Sequence, residues 1–132
     1  MQFKLKLLVL LAIALLFLSG CAGSVIQTVQ TSFSGSKLTT QRVEQAILDG
    51  MAANNWRVRS RQTGIVVAEL DVGRQQAAIE IAFDETQYTI EYVSSKNLDE
   101  STSGRGIHPN YNKWVQELDA EIQSKLTQAD GG

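Results

Sequence analysis

The sequence predicts an α+β fold, a two-layer sandwich with a four-stranded antiparallel meander sheet and two helices on one face. Three observations predict it. Apolar residues recur at helical spacing over residues 40–54 and again over 110–127. Between these stretches, four runs alternate apolar and polar residues and are joined by short turn-forming links. Alternation implies a sheet with one buried face, and short links imply antiparallel neighbours. Two amphipathic helices and a one-sided sheet bury their apolar surfaces together only if both helices share that face. The resulting order is α-β-β-β-β-α.

The chain opens with Lys4 and Lys6 ahead of an uninterrupted apolar run from Leu7 to Leu18. That run is long enough for a secretory leader and too short for a spanning helix, which needs about 20 apolar residues. Behind it, Leu18-Ser19-Gly20-Cys21 resembles the lipobox of bacterial lipoproteins. The resemblance implies cleavage before Cys21, thioether lipidation of its sulfur and acylation of the new amino terminus. Stable anchoring takes more than one acyl chain, and such a group supplies several. A plain signal peptide or an uncleaved anchor is the rival reading of the segment. Ala22, where an aspartate would favour inner-membrane retention in enterobacterial lipoproteins, implies the periplasmic face of the outer membrane. Residues 1–20 thus read as a signal peptide and 21–37 as a lipidated cysteine with its tether. Residues 38–128 read as one domain and 129–132 as a disordered tail.

The tether is rich in Ser, Thr and Gly, and Val25 to Val29 has enough strand character to add an N-terminal edge strand. The first helix is predicted over Thr40 to Asn54. Thr39 is its N-cap, and Leu38 and Val43 occupy the two positions of a hydrophobic staple. Val43, Ala46, Ile47, Gly50 and Met51 form its apolar face. Gly50 costs up to about 1 kcal/mol there relative to Ala, which points to a close approach between helix and sheet. In the first strand Trp56, Val58 and Ser60 face the core, while Arg57, Arg59 and Arg61 face solvent. Val66, Ala68, Leu70 and Val72 follow, then Ala77, Ile79, Ile81 and Phe83, then Tyr88, Ile90 and Tyr92. A tight last turn sets Phe83 against Tyr88, Ile81 against Ile90 and Ile79 against Tyr92. Asn110 to Thr127 forms the last helix, with Pro109 in its first turn.

The formal net charge is −2, and the leader would remove two of the 12 basic residues, leaving a mildly acidic body. This offers no footing for a nucleic-acid partner. Cys21 is the only cysteine, so no disulfide within the chain is available and packing must hold the core. His108 is the only histidine. With no partner pattern for a triad and no ligand cluster, it suggests neither catalysis nor a metal, and no cofactor motif is present. Glu80 and Glu91 face each other across the last hairpin, where a solvated charge ladder competes with acid–base chemistry. The arginine stripe, with Glu69 opposite Arg57, suggests an anion contact or a neutralised surface.

Ser94 to Trp114 is the most distinctive stretch, a long Gly/Ser-containing link that ends in His108-Pro109-Asn110-Tyr111-Asn112-Lys113-Trp114. Asn97, His108, Asn110, Tyr111, Asn112 and Trp114 are the candidate binding residues. The same asparagines can instead bond backbone groups of the loop. Asn97-Leu98, Ile107-His108 and Tyr111-Asn112-x-Trp114, with Ala46-Ile47, Trp56, Gly64-Ile65, Ala68, Tyr88-Thr89-Ile90 and Tyr92, resemble a family of small uncharacterised proteobacterial lipoproteins. That resemblance implies a lipid-anchored α+β domain and supplies no catalytic residue. At the level of fold alone, a sheet gripped by two helices is similar to domains of outer-membrane assembly lipoproteins.

The expected function is therefore a non-enzymatic module that is attached to the membrane through Cys21 and binds an envelope protein or component. Its binding surface would be the Ser94–Trp114 region or an open sheet edge. The alternative is a small-ligand binder with a pocket between the layers lined by Trp56, Tyr88, Tyr92, Tyr111 and Trp114.

Overall fold

The computed structural model describes residues 23–33, 37–101 and 106–131. Cys21 and the leader lie outside the described residues. The α+β class holds, and both helices lie on one face of an antiparallel sheet. The elements are β1 (Ser24–Val25), β2 (Val29–Ser32), α1 (Thr40–Ala53), β3 (Arg57–Gln62), β4 (Ile65–Val72), β5 (Gln75–Phe83), β6 (Gln87–Lys96), β7 (Gly106–Ile107) and α2 (Pro109–Gly131). The main sheet has five strands in the order β2-β6-β5-β4-β3, and β1 pairs with β7 in a small separate sheet.

The meander from β3 to β6 is as expected, and its central register follows the apolar parity. Phe83 pairs with Tyr88, Ile81 with Ile90 and Ile79 with Tyr92. Val66, Ala68, Ile79, Ile81, Tyr88 and Ile90 are fully buried beneath the helices. Burying each of the larger side chains contributes about 1.5–3 kcal/mol, which is how packing alone can hold this core. Gly64 and Gly73 supply the positive φ values that the first two hairpin turns require.

β3 departs from the simple alternation. A bulge between Val58 and Ser60 shifts the register, so Ser60 pairs with Val67 on the open face and Arg61 pairs with Val66 on the helix side. The extra residue reverses the strand's parity. Arg61 then reaches Glu44 of α1 at 2.6 Å, while Arg57 and Arg59 stay with Glu69 on the open face. Val58, expected in the core, is 47% exposed, and all six residues of this edge strand are exposed. Trp56 is buried, but it lies just ahead of the strand.

α1 begins as expected. The Thr39 side chain accepts a hydrogen bond from Arg42 N at 3.3 Å, and Leu38 and Val43 are both buried. The helix ends at Ala53, and Asn55 takes a left-handed φ of 64°. Gly50 marks a close approach to α2 rather than to the sheet. A Cβ there would lie 2.8 Å from Ile122 Cγ1 and 3.1 Å from Ile122 N.

Two boundaries need correction. The expected disordered tail at 129–132 is helical through Gly131, with Gly132 outside the described residues. Ala129 packs against the core and its carbonyl accepts from Arg42 Nη1 at 3.2 Å, so α1 secures the last turn of α2. The expected tether at 21–37 is docked over much of its described length. β2 pairs with β6, Val29 opposite Ile90 and Ser32 opposite Gln87, which places the extra edge strand later than Val25–Val29.

Candidate functional site

The N-terminal arm crosses α2 at a row of polar side chains spaced three and four residues apart, which places them on one helix face. Asn112 uses both ends of its carboxamide. Its Nδ2 donates to Val25 O at 2.8 Å, and Gln27 N donates to its Oδ1 at 3.1 Å. One turn on, Gln116 Nε2 donates to Gln27 Oε1 at 3.0 Å. Asp119 Oδ1 then accepts from Thr31 Oγ1 at 2.9 Å and from the Tyr88 hydroxyl. Phe33 completes the clasp, its ring centroid 6.2 Å from that of Tyr88. Burial, followed by the bond to Asp119 and its charge, raises the Tyr88 pKa well beyond the ordinary tyrosine range.

The other candidate residues support neighbouring backbone. Asn97, at a left-handed φ of 55°, donates from Nδ2 to Arg74 O at 2.7 Å and so ties the end of β6 to the β4–β5 turn. Asn110 Nδ2 donates to Gln75 Oε1 at 3.0 Å, from α2 to the start of β5. His108 stands just before α2, where its Nδ1 accepts from Asn110 N at 3.1 Å and its carbonyl accepts from Tyr111 N. It therefore caps free amides of the first turn. Its own N–H donates to Leu98 O at 2.7 Å.

Tyr111 and Trp114 belong to the core. Tyr111 is fully buried and meets Tyr92 edge-on at 5.4 Å. Among the described residues its hydroxyl has no hydrogen-bond partner. Burial raises its pKa, with the neighbouring Tyr92 a second cause. Tyr92 donates to Glu100 Oε2 at 2.7 Å. The six candidates thus line the seams between the arm, the β4–β5 turn, the Leu98 segment and α2. They do not converge on one concave surface.

The charged rows are also resolved. Glu80 and Glu91 pair across β5 and β6 on the open face. Arg59 sits in the bulge and reaches Glu69 at 3.8 Å instead of joining that row. Arg57 bonds both Glu69 and Asp71, and Gln76 reinforces the same two carboxylates. Among the described residues no group of three His, Cys, Asp or Glu is placed to hold a metal ion. Nor is any described helix long and apolar enough to cross a membrane. A cleft of about 420 Å³ opens between the end of α1, the end of β4 and α2, lined by Asn54, Asn55, Trp56, Asp71, Trp114 and Glu117 among others.

Sequence reasoning missed Gln116 and Asp119. The available signal was a polar row at Asn112, Gln116, Asp119 and Gln123 running beside the apolar stripe of α2. Fold and site together define a small two-layer α+β domain whose N-terminal arm is laced across its second helix. Compared with family models, curated proteins and solved structures, the chain finds no match.

Proposed function

We propose that this chain is a lipid-anchored interaction module of the outer membrane's periplasmic face, tethered through Cys21 and acting by binding a protein or envelope component. The lysine-bearing leader and the Leu18-Ser19-Gly20-Cys21 sequence support the anchor. The single observation that supports a binding role is the β3 edge, exposed at all six residues and, among the described residues, bordered by no further strand. An open edge offers unpaired backbone groups to an added strand. The Ser94–Trp114 region contributes less to this reading than the sequence suggested, because its asparagines, His108, Tyr111 and Trp114 are engaged in structure. Photo-crosslinking from Ser60 in intact cells tests the idea, with Glu85 in the β5–β6 turn as reference. A discrete partner captured from Ser60 alone is the expected result. A clean, uncrosslinked monomer from both sites would reject it.

A second reading, binding of a small ligand, draws support from the 420 Å³ cleft beside Trp56 and Trp114. Tyr88 and Tyr111, expected to line an interlayer pocket, are fully buried core residues. A ligand in this cleft would change tryptophan fluorescence, and Glu117→Ala would weaken that response.

A further inference from the structure

We propose that one end of this domain lies directly against the lipid surface, with β1, β7, the β4–β5 turn and the first turn of α2 facing the membrane. The inference rests on the proposed lipidation of Cys21. Cys21 is three positions before Ser24, and Ser24 is paired with Ile107. An extended chain spans at most about 3.6 Å per residue, so the sulfur-bearing residue lies within roughly 11 Å of β1. Were residues 21–37 a free tether, the reach would be roughly 60 Å. Docking of the arm by Asn112, Gln116 and β2 removes most of that reach.

A second, independent observation concerns surface chemistry at the same end. Among the described residues, the large hydrophobic ones left exposed are Val25, Val58, Val72 and Val93, at 69%, 47%, 45% and 47%. Val25 closes β1 and Val72 closes β4 at this end, whereas Val58, level with Ala68 and Ile79, and Val93, next to Tyr92, lie at mid-sheet. Antiparallel order brings the ends of β4 and β6 and the start of β5 to one end of the sheet, beside β1 and the start of α2. Arg74, Lys96 and Lys113 are exposed at this end together with Asp71, Asp99 and Glu100, and long basic stems lay apolar carbons along a lipid surface while their charges reach headgroups. The opposite end, which carries Glu85 and Asp130, lies about 35 Å away along the 23 residues of α2. Exposed Val25 and Val72, beside the short link to the proposed anchor, fit a lipid surface.

The test uses the full lipidated chain in phosphatidylethanolamine/phosphatidylglycerol vesicles containing a nitroxide-headgroup lipid. A fluorophore is placed on Lys96→Cys or, at the far end, on Glu85→Cys. Quenching of the Lys96 label and its absence from the Glu85 label is the expected result. Inserting a twelve-residue Gly/Ser segment between Ala22 and Gly23 leaves every described contact in place and should abolish the quenching. Equal quenching at both ends, quenching at neither, or quenching unchanged by the insertion would overturn the orientation. Mass spectrometry of the same preparation reports the acyl groups separately. Bare Cys21 would refute the anchor, whereas acylated Cys21 without end-specific quenching would refute only the orientation.

Discussion

Asn112→Ala is the most direct probe of how the N-terminal arm is held. The substitution removes two hydrogen bonds, one to Val25 O at 2.8 Å and one from Gln27 N at 3.1 Å, from a side chain that is only 8% exposed. At about 1 kcal/mol each, the loss is about 2 kcal/mol, or roughly 30-fold in the docking equilibrium. Stranding either backbone group without water would cost more, but the arm can avoid that by lifting off. The effect should therefore be local. Amide exchange is the assay, because the Gln27 amide is itself one of the lost donors. Exchange at Gln27 and its neighbours in the arm should accelerate roughly 30-fold, while Ile79, Ile81 and Ile90 in the central strands keep their protection. Asn112→Asp keeps an acceptor for Gln27 N but sets a carboxylate beside the Val25 carbonyl, so it should release Val25 more than Gln27. Unchanged exchange at Gln27 would refute the clamp. A uniform loss across the sheet would show that the arm is part of the cooperative core rather than a strap upon it.

Four further outcomes follow from the same geometry. Tyr111→Phe removes a buried hydroxyl that has no partner among the described residues and should stabilise the domain by about 1 kcal/mol in urea unfolding; a loss of stability would reveal a partner. Gly50→Ala gains up to about 1 kcal/mol of helix propensity but drives a methyl group into Ile122, and overpacking of this kind costs about 1–3 kcal/mol. A net loss of about 1 kcal/mol is expected from the thermal midpoint, and a stabilised variant would show that the helices separate easily. Tyr88 and Tyr111 have raised pKa values in the fold while unfolded tyrosine ionises near pH 10, so their contribution is intact below about pH 10. It is then lost as pH rises toward the folded values, by about 1.4 kcal/mol per pH unit for each; tyrosinate absorbance should show at most one of the three tyrosines ionising before the fold is lost. Asp84 accepts from Thr86 N, Thr86 Oγ1 and Gln87 N, which lowers its pKa, so its turn is stabilised above the usual 3.8 and loses that support as pH falls through the lowered value. A carboxyl titration by NMR should place its midpoint below 3.8.

The candidate site was legible as a set of residues and not as a set of roles. Asn97, His108, Asn110 and Asn112 stood out because polar side chains crowd a helix start after a long link, and each does hold its surroundings in place. Whether such groups face a ligand or a backbone depends on which segment lies opposite. For Asn112 that segment is 85 residues away in sequence at Gln27. The Ser/Thr-rich composition of the arm resembles that of any flexible linker, and nothing within it announces the side chains that fasten it.

Sequence alone determined the features that local spacing encodes. These are the Thr39 cap, the apolar stripes of both helices, the shared parity of β4, β5 and β6, and the pairing of Phe83 with Tyr88 that a tight turn imposes. Each depends on residues a few positions apart and on the fixed periods of helix and strand. Tertiary structure decided the bulge that turns Arg61 toward Glu44, the partner that Gly50 makes room for, the helical continuation past Thr127 and the docking of the arm. Those outcomes depend on where one packed layer meets another, and no window along the chain carries that distance.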